Sequence, residues 1–428
     1  MISQTILPFK LATTNDSITP NAGLAVFAEL ANAMSVDKLA NAHLPKPGSG
    51  NGFSPAAYVM PILMTMMGGG GCIDDTRKVR DDHALRKLIG MSRVPSVSAI
   101  GDWLRRMGAN NGVEAMDKVN AAIVKKIIAS DHRSEYTLIV DPTFIFADKR
   151  EAAMTYEGSK GYRPVVCILA ELGIVIASEF RAGNNNGGRA QIIRKAFDIM
   201  PVGKKISLVL ADSEYYASEV IGLIEERQAL FAIAARMDKA VREVVGSMTD
   251  WREYRDRHGV SCGKDIAESV HAMNGGSGSF RLACLRSERE QGDLLEGRYF
   301  HHAIATNMAD IPAEEVTYAY NGRSQVENVI RELKSGFGLD GVPSGDFSGN
   351  AMWFGLGVLA YNLYCALRVY CLPESYSRSA ANSLRWMFLN VAGKVVRSGG
   401  RVVLKLAVAA GKLFEYQEAR WRIYALGG

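Results

Sequence analysis

Short apolar runs of strand length alternate with helical periodicities through the middle of the chain. The runs TLIV at 137–140 and SLVLA at 207–211 are each followed at once by an aspartate, Asp141 and Asp212. Runs this rich in Leu, Ile and Val, with few polar positions, fit strands covered on both faces. A third run, GIVIASEF at 173–180, predicts a strand between them, and residues 189–200 predict a helix. A helix near 217–227 and a strand near 230–235 follow. A carboxylate at the end of a buried strand is costly unless paired or metal-bound, which makes Asp141 and Asp212 the first candidates for chemistry.

The segment YNGRSQVENVIRELK at 320–334 has the helical period. At about 100° per residue, Arg323, Glu327 and Lys334 fall within about 60° of Tyr320, and Arg331 within about 20°. Val326, Val329, Ile330 and Leu333 take the other side of the wheel, so an amphipathic helix carries one carboxylate flanked by cations. On these residues alone, an i,i+4 pair between Arg323 and Glu327 on a solvated face is the simpler explanation.

Joined to the two aspartates, the element order resembles the ribonuclease-H-like core of DDE transposases. The spacing Tyr320-x2-Arg323-x3-Glu327-x6-Lys334 resembles the signature of one large branch of bacterial insertion-sequence transposases. HHAIATNMADIPAEEVTYAY before that helix, GYRP at 161–164 and RAGN at 181–184 are similar to further elements of the branch. The motif-bearing part runs from about residue 138 to 339. The resemblance implies an α/β fold, a ribonuclease-H-like catalytic core with a long insertion, plus a helical N-terminal DNA-binding domain. Asp212 and Glu327 are 115 residues apart, against 71 between Asp141 and Asp212, and the longer gap calls for the insertion. The division expected is a helical DNA-end-binding region at 1–134, core at 135–235, a strand-containing insertion at 236–298, the rest of the core at 299–372 and a basic C-terminal region at 373–428.

Phosphodiester chemistry explains why three distant carboxylates would converge. In-line attack needs an activated nucleophile on one side and a stabilised leaving oxygen on the other, which two divalent ions about 4 Å apart supply together. Carboxylate oxygens suit Mg2+, with Mn2+ able to substitute. The resemblance implies Asp141, Asp212 and Glu327 as catalytic residues and metal ligands. Arg323 and Lys334 are placed to hold DNA phosphates, Tyr320 to donate to a phosphate or pack on a sugar, and Arg331 to add a further phosphate contact. Two other acids compete. Asp148 follows FIFA, but TLIV is the better buried strand and the family's Asp-x-Thr pattern matches Asp141, Pro142 and Thr143. Glu214 stands where the family usually has a small residue, a departure close to Asp212.

Composition adds a little. A chain of 428 residues, 48% hydrophobic and 22% charged, can bury a large core in two or three domains. The net charge of +5 is modest, but residues 378–412 hold seven Lys or Arg and no Asp or Glu, which suits phosphate contacts or a solvated basic surface. Cys72, Cys167, Cys262, Cys284, Cys365 and Cys371 form no CxxC pair and have no histidine at zinc-ligand spacing, so free thiols in a reducing cytoplasm are expected. His301 and His302 read as structural. Trp251, Tyr299 and Phe300 read as core packing, with stacking on a flipped base as the alternative.

Toward the N-terminus, the first residues lack a basic start followed by a sustained apolar core, so no signal peptide is expected. The apolar stretches at 56–72 and 347–367 approach membrane-helix length, but Pro61 and glycines break the first, and Asn350, Asn362 and glycines the second; a buried helix fits better than a span. Residues 74–89 read as charged helix, SRVPS as a turn, and Ser98 as the cap of a helix to Met107 that Gly108 ends. This helix-turn-helix-like order points to Arg105 and Arg106, with Arg77, Lys78 and Arg80, as DNA contacts, an ordinary packing domain being equally consistent. KPGSGNGFSP at 46–55 reads as a flexible loop. The whole implies a cytoplasmic, metal-dependent transposase that binds the double-stranded terminal inverted repeats of its element and its target DNA, without a membrane. It would cut the 3′ strand with water, join the freed 3′-OH to the target, and work as a homodimer on paired ends. The rival is a DNA-binding regulator derived from such an enzyme.

Overall fold

The structure, a computed structural model, describes residues 11–48, 50–273, 278–293 and 297–427. The first ten residues, on which the signal-peptide expectation rests, and Ser49 of the 46–55 loop lie outside the described residues.

Among the described residues a nine-stranded mixed sheet carries the architecture. Its strands are β1 (Glu135–Pro142), β2 (Val165–Leu169), β3 (Ile174–Glu179), β4 (Lys205–Ala211), β5 (Leu230–Ala234), β6 (Arg252–Arg255), β7 (Ser261–Ala272), β8 (Ser279–Asp293) and β9 (Gly297–Thr306). Across the sheet the order is β6-β7-β8-β9-β5-β4-β1-β2-β3. The neighbours β1, β4 and β5 run parallel, and every other pairing is antiparallel. Leu138, Ile139 and Val140 of β1, like every residue of β2, are buried, as expected of strands covered on both faces. The sequence reading located β1, β3, β4 and β5; it did not name β2, whose RPVVCILA run follows the GYRP motif. The long strands of 252–306 do not form a separate sheet. Through β9 against β5, in the register Ile304 with Ala234 and Thr306 with Ala232, they extend the first one.

Helices cover the faces: α1 (Pro55–Met67), α2 (Val97–Ala109), α3 (Gly112–Ala129), α4 (Arg189–Ile199), α5 (Ser218–Glu226), α6 (Ala313–Asn321), α7 (Gln325–Arg331), α8 (Phe347–Ala366) and α9 (Ala410–Gly427). α8 lies between α1, α2 and α3 on one side and β3 on the other. Helix 347–371 is long and apolar enough to cross a membrane, but 78% of that stretch is buried inside the protein. Its asparagines explain the burial. Asn362 accepts from the Val175 amide at 2.8 Å and donates to the Val175 carbonyl at 2.9 Å, satisfying the free edge of β3 as another strand would. Asn350 does the same for Ser344, at 2.9 and 3.0 Å.

The N-terminal reading needs two corrections. α2 is capped by Ser96, whose Oγ accepts from the Ala99 amide at 3.2 Å, and Ser98 lies inside the helix. The helix also continues through Gly108 to Ala109. A Cβ at Gly108 would stand 2.4 Å from the backbone carbon of Ser348, so the glycine permits close packing of α2 on α8 instead of ending the helix. Trp103 and Tyr58 stack with ring centroids 4.9 Å apart, and both belong to one apolar cluster that reaches from Leu24 to Ile423.

Candidate active site

Strand register brings the two aspartates together. Val140 of β1 is the partner of Ala211 of β4 in a parallel pairing, so Asp141 and Asp212, one residue on, leave the same edge side by side. Asp212 caps the turn that follows, accepting from the Glu214 amide at 3.0 Å. Burial pushes the Asp141 carboxyl up to about 6; Arg323 opposes this, and the charges of Asp212 and then Glu327 reinforce it. Burial also raises Asp212, against the hydrogen bond from the Glu214 amide.

The segment 313–336 is helical throughout but not one regular helix. α6 passes through a 3-10 turn at Gly322–Ser324 into α7, and a π turn follows at Glu332–Gly336. The single 100° wheel therefore does not hold across it, and the polar residues separate. Tyr320 is buried, with its ring 5.5 Å from that of His302, and the Arg323 guanidinium lies 5.9 Å from the same ring. Arg323 Nη1 donates to Asp141 Oδ1 at 2.6 Å; its ion pair is with the strand, not with Glu327. Glu327 is exposed. Lys334 is half-buried, its pKa lowered by burial, with Asp340 and Glu157 as its nearest charges. Arg331 is exposed and donates to Asn328 Oδ1 at 2.5 Å. The structure thus joins Asp141, Asp212, Arg323 and Tyr320 and sets Glu327 within electrostatic reach. Among the described residues no three acidic, histidine or cysteine side chains stand close enough together to hold one ion.

Arg105 and Arg106 lie apart from this edge, on α2; Arg105 is paired with Asp102 of its own helix. Arg77, Lys78 and Arg80 pair with Asp74, Asp75 and Asp81. Within the basic segment, Arg385 is buried and is no surface contact. It donates to the carbonyls of Met67, Met66 and Gly336 at 2.8, 2.8 and 2.6 Å, and so ties the end of the π turn to the end of α1. Burial holds its pKa down at about 10. Arg378, Arg397, Arg401 and Lys405 are exposed. Trp251 and Tyr299 flank Arg286, whose guanidinium lies 4.3 and 4.5 Å from their rings, while Phe300 is exposed. Burial lowers the pKa of both His301 and His302. All six cysteines are free.

Sequence reasoning missed Arg163, Asn362 and Arg385 as organisers of this edge. Only Arg163 had a signal, its place in GYRP. Asp148, the competing acid, is exposed and pairs with Lys160 at 3.1 Å, away from the Asp141–Asp212 edge.

Two desolvated carboxylates at one sheet edge, with a cationic helix against them, form a site suited to a hard cation and a phosphate. The chain matches the family described as Transposase DDE domain group 1 over residues 7–426, and belongs to that family. No curated protein matches it by sequence. Among solved structures it is similar to a piggyBac transposase synaptic complex with hairpin DNA, at 10% identity and a TM-score of 0.45, over 96% of this chain and 81% of that one.

Proposed function

We propose that this protein is the DNA transposase of a bacterial insertion sequence, of the branch marked by the Tyr320, Arg323, Glu327 and Lys334 spacing. The observation that carries the reading is the in-register delivery of Asp141 and Asp212 to one edge, with Arg323 of the signature segment bonded to Asp141. The five strands β3-β2-β1-β4-β5, antiparallel and then parallel about a central β1, support a ribonuclease-H-like core.

The donor set fits a divalent ion. Asp141 and Asp212 are adjacent, oxygen-only and desolvated, which suits Mg2+ or Mn2+. Glu327, on the helical segment whose Arg323 already touches Asp141, is the third carboxylate of the set. Bound there, the metal supplies charge stabilisation to the attacking and leaving oxygens. The chain's own residues bind and orient: Arg323 and Lys334 hold phosphates of the element end, Arg331 adds an outer contact, and Tyr320 braces Arg323. Arg105 and Arg106 on α2 and the exposed cations of 378–412 extend contact along the duplex. The partners are the element's terminal inverted repeats and target DNA, held by a cytoplasmic homodimer, since two ends must be joined to one target.

Incubating the protein with labelled ends of its own element and Mg2+ tests this. Metal-dependent nicking of the 3′ strand followed by transfer is expected. Tight end binding without cleavage would instead identify a derived regulator.

A further inference from the structure

Arg163 sits behind the two aspartates and touches the segments that follow both. Its Nη1 donates to Glu214 Oε1 at 3.0 Å and to Asn186 Oδ1 at 2.7 Å, and its Nη2 donates to Glu214 Oε2. The side chains are 7% and 12% exposed, so this is a buried, bidentate pair and not a surface bridge. The guanidinium also lies 5.4 Å from the Phe144 ring and 5.8 Å from the Tyr156 ring, and those rings meet edge to face at 5.1 Å. Phe144 is three residues past Asp141; Glu214 is two past Asp212.

The motif residues around it serve this placement. The Arg163 amide donates to the Arg181 carbonyl at 2.8 Å, so the GYRP and RAGN segments pair with each other. Gly183 of RAGN admits that approach, since a Cβ there would stand 2.7 Å from the Gly161 carbonyl oxygen. Arg189 adds a hydrogen bond to the Glu214 carbonyl at 3.0 Å. Glu214 is thereby turned away from any ligand role and toward Arg163.

We propose that Arg163 and Glu214 are positioning residues that fix the spacing of Asp141 and Asp212, through an aromatic contact to one loop and a forked ion pair to the other. The inference rests on the proposed metal-site role of the two aspartates. Residues behind metal ligands typically account for 10–100-fold in affinity, and a pair that acts as a unit is non-additive.

The test is Mn2+ binding to the full chain without DNA, followed by electron paramagnetic resonance, with thermal melts alongside. The variants are Asp212→Asn, Arg163→Gln, Arg163→Lys, Glu214→Gln and the Arg163→Gln/Glu214→Gln double. Expected is a rise in Kd on the order of 10-fold in each Gln single, no further rise in the double, and incomplete retention in Arg163→Lys, which keeps charge but loses fork and stacking. Folded variants that melt lower yet bind Mn2+ as the wild type does would overturn the inference and leave a purely structural tie. A double variant whose loss equals the product of the singles would overturn the pair as a unit. Should Arg163→Gln fail to fold, Glu214→Gln and Arg163→Lys decide by the same criterion. Unchanged Mn2+ binding in Asp212→Asn is the distinct result that defeats the metal-site reading itself.

Discussion

The two halves of the candidate site are held in different ways. Asp141 and Asp212 are fixed by backbone pairing: once Val140 faces Ala211, the following residues have no freedom to part. The residues of 320–334 hang on a helical segment that changes its winding twice, and its register depends on distant anchors such as Arg385. The acids of the sheet are buried and perturbed, whereas Glu327 is exposed. A sheet edge presets ligand geometry; a wound helix leaves its carboxylate to be drawn in by what binds.

The largest effect that sharpens this contrast is on cleavage. Asp141→Asn, Asp212→Asn and Glu327→Gln should each lower the rate on the order of 10³-fold or more, because each removes several kcal/mol of charge stabilisation, while end binding persists. Single-turnover assays on labelled ends check this, and a near-wild-type rate for Glu327→Gln would leave the sheet acids as the whole site.

Next is the rigidity of the sheet. Asn362→Leu strands the amide and carbonyl of Val175 on a buried edge and should cost about 3 kcal/mol of stability. Chemical denaturation measures it. An unchanged midpoint would mean that α8 does not secure β3.

A pH effect of similar or smaller size separates the halves again. The folded Asp141 pKa of about 6 exceeds its unfolded value of about 3.9. The metal-free folded state therefore keeps a proton that the unfolded state loses. This contribution to stability is full below about pH 4, falls through the window up to about 6, and is absent above. Melting the metal-free protein across that window should show the decline, and Asp141→Asn should flatten it. A wild-type curve already flat there contradicts the buried-acid account.

The smallest effect belongs to the helical cations. Arg323→Ala and Lys334→Ala should each weaken end binding and reduce its logarithmic salt slope by about one. Unchanged slopes with lowered melting temperatures would assign both residues to structure alone.

Much of this was legible in the chain because strand runs and their terminal acids are local signals. TLIV-Asp141 and SLVLA-Asp212 read correctly as strand ends, as did the helices at 189–199 and 218–226. What was not legible depends on long-range contact. A helical wheel cannot foresee the 3-10 and π turns that send Arg323 to Asp141, nor can a basic run reveal that Arg385 is buried among carbonyls. Gly108 read as a helix end because its neighbour Ser348 is 240 residues away. Glu214 read as a flaw in the second acid's setting, and its partner Arg163 explains it only in three dimensions.

The central claim is that Asp141, Asp212 and Glu327 hold one metal site. Loading the DNA-bound protein with Fe2+ and generating hydroxyl radicals in place cuts the backbone beside the bound ion. Cuts near residues 141, 212 and 327 together, suppressed by excess Mg2+, are the result this account predicts. Cuts at 141 and 212 without 327, or at neither strand end, would contradict it.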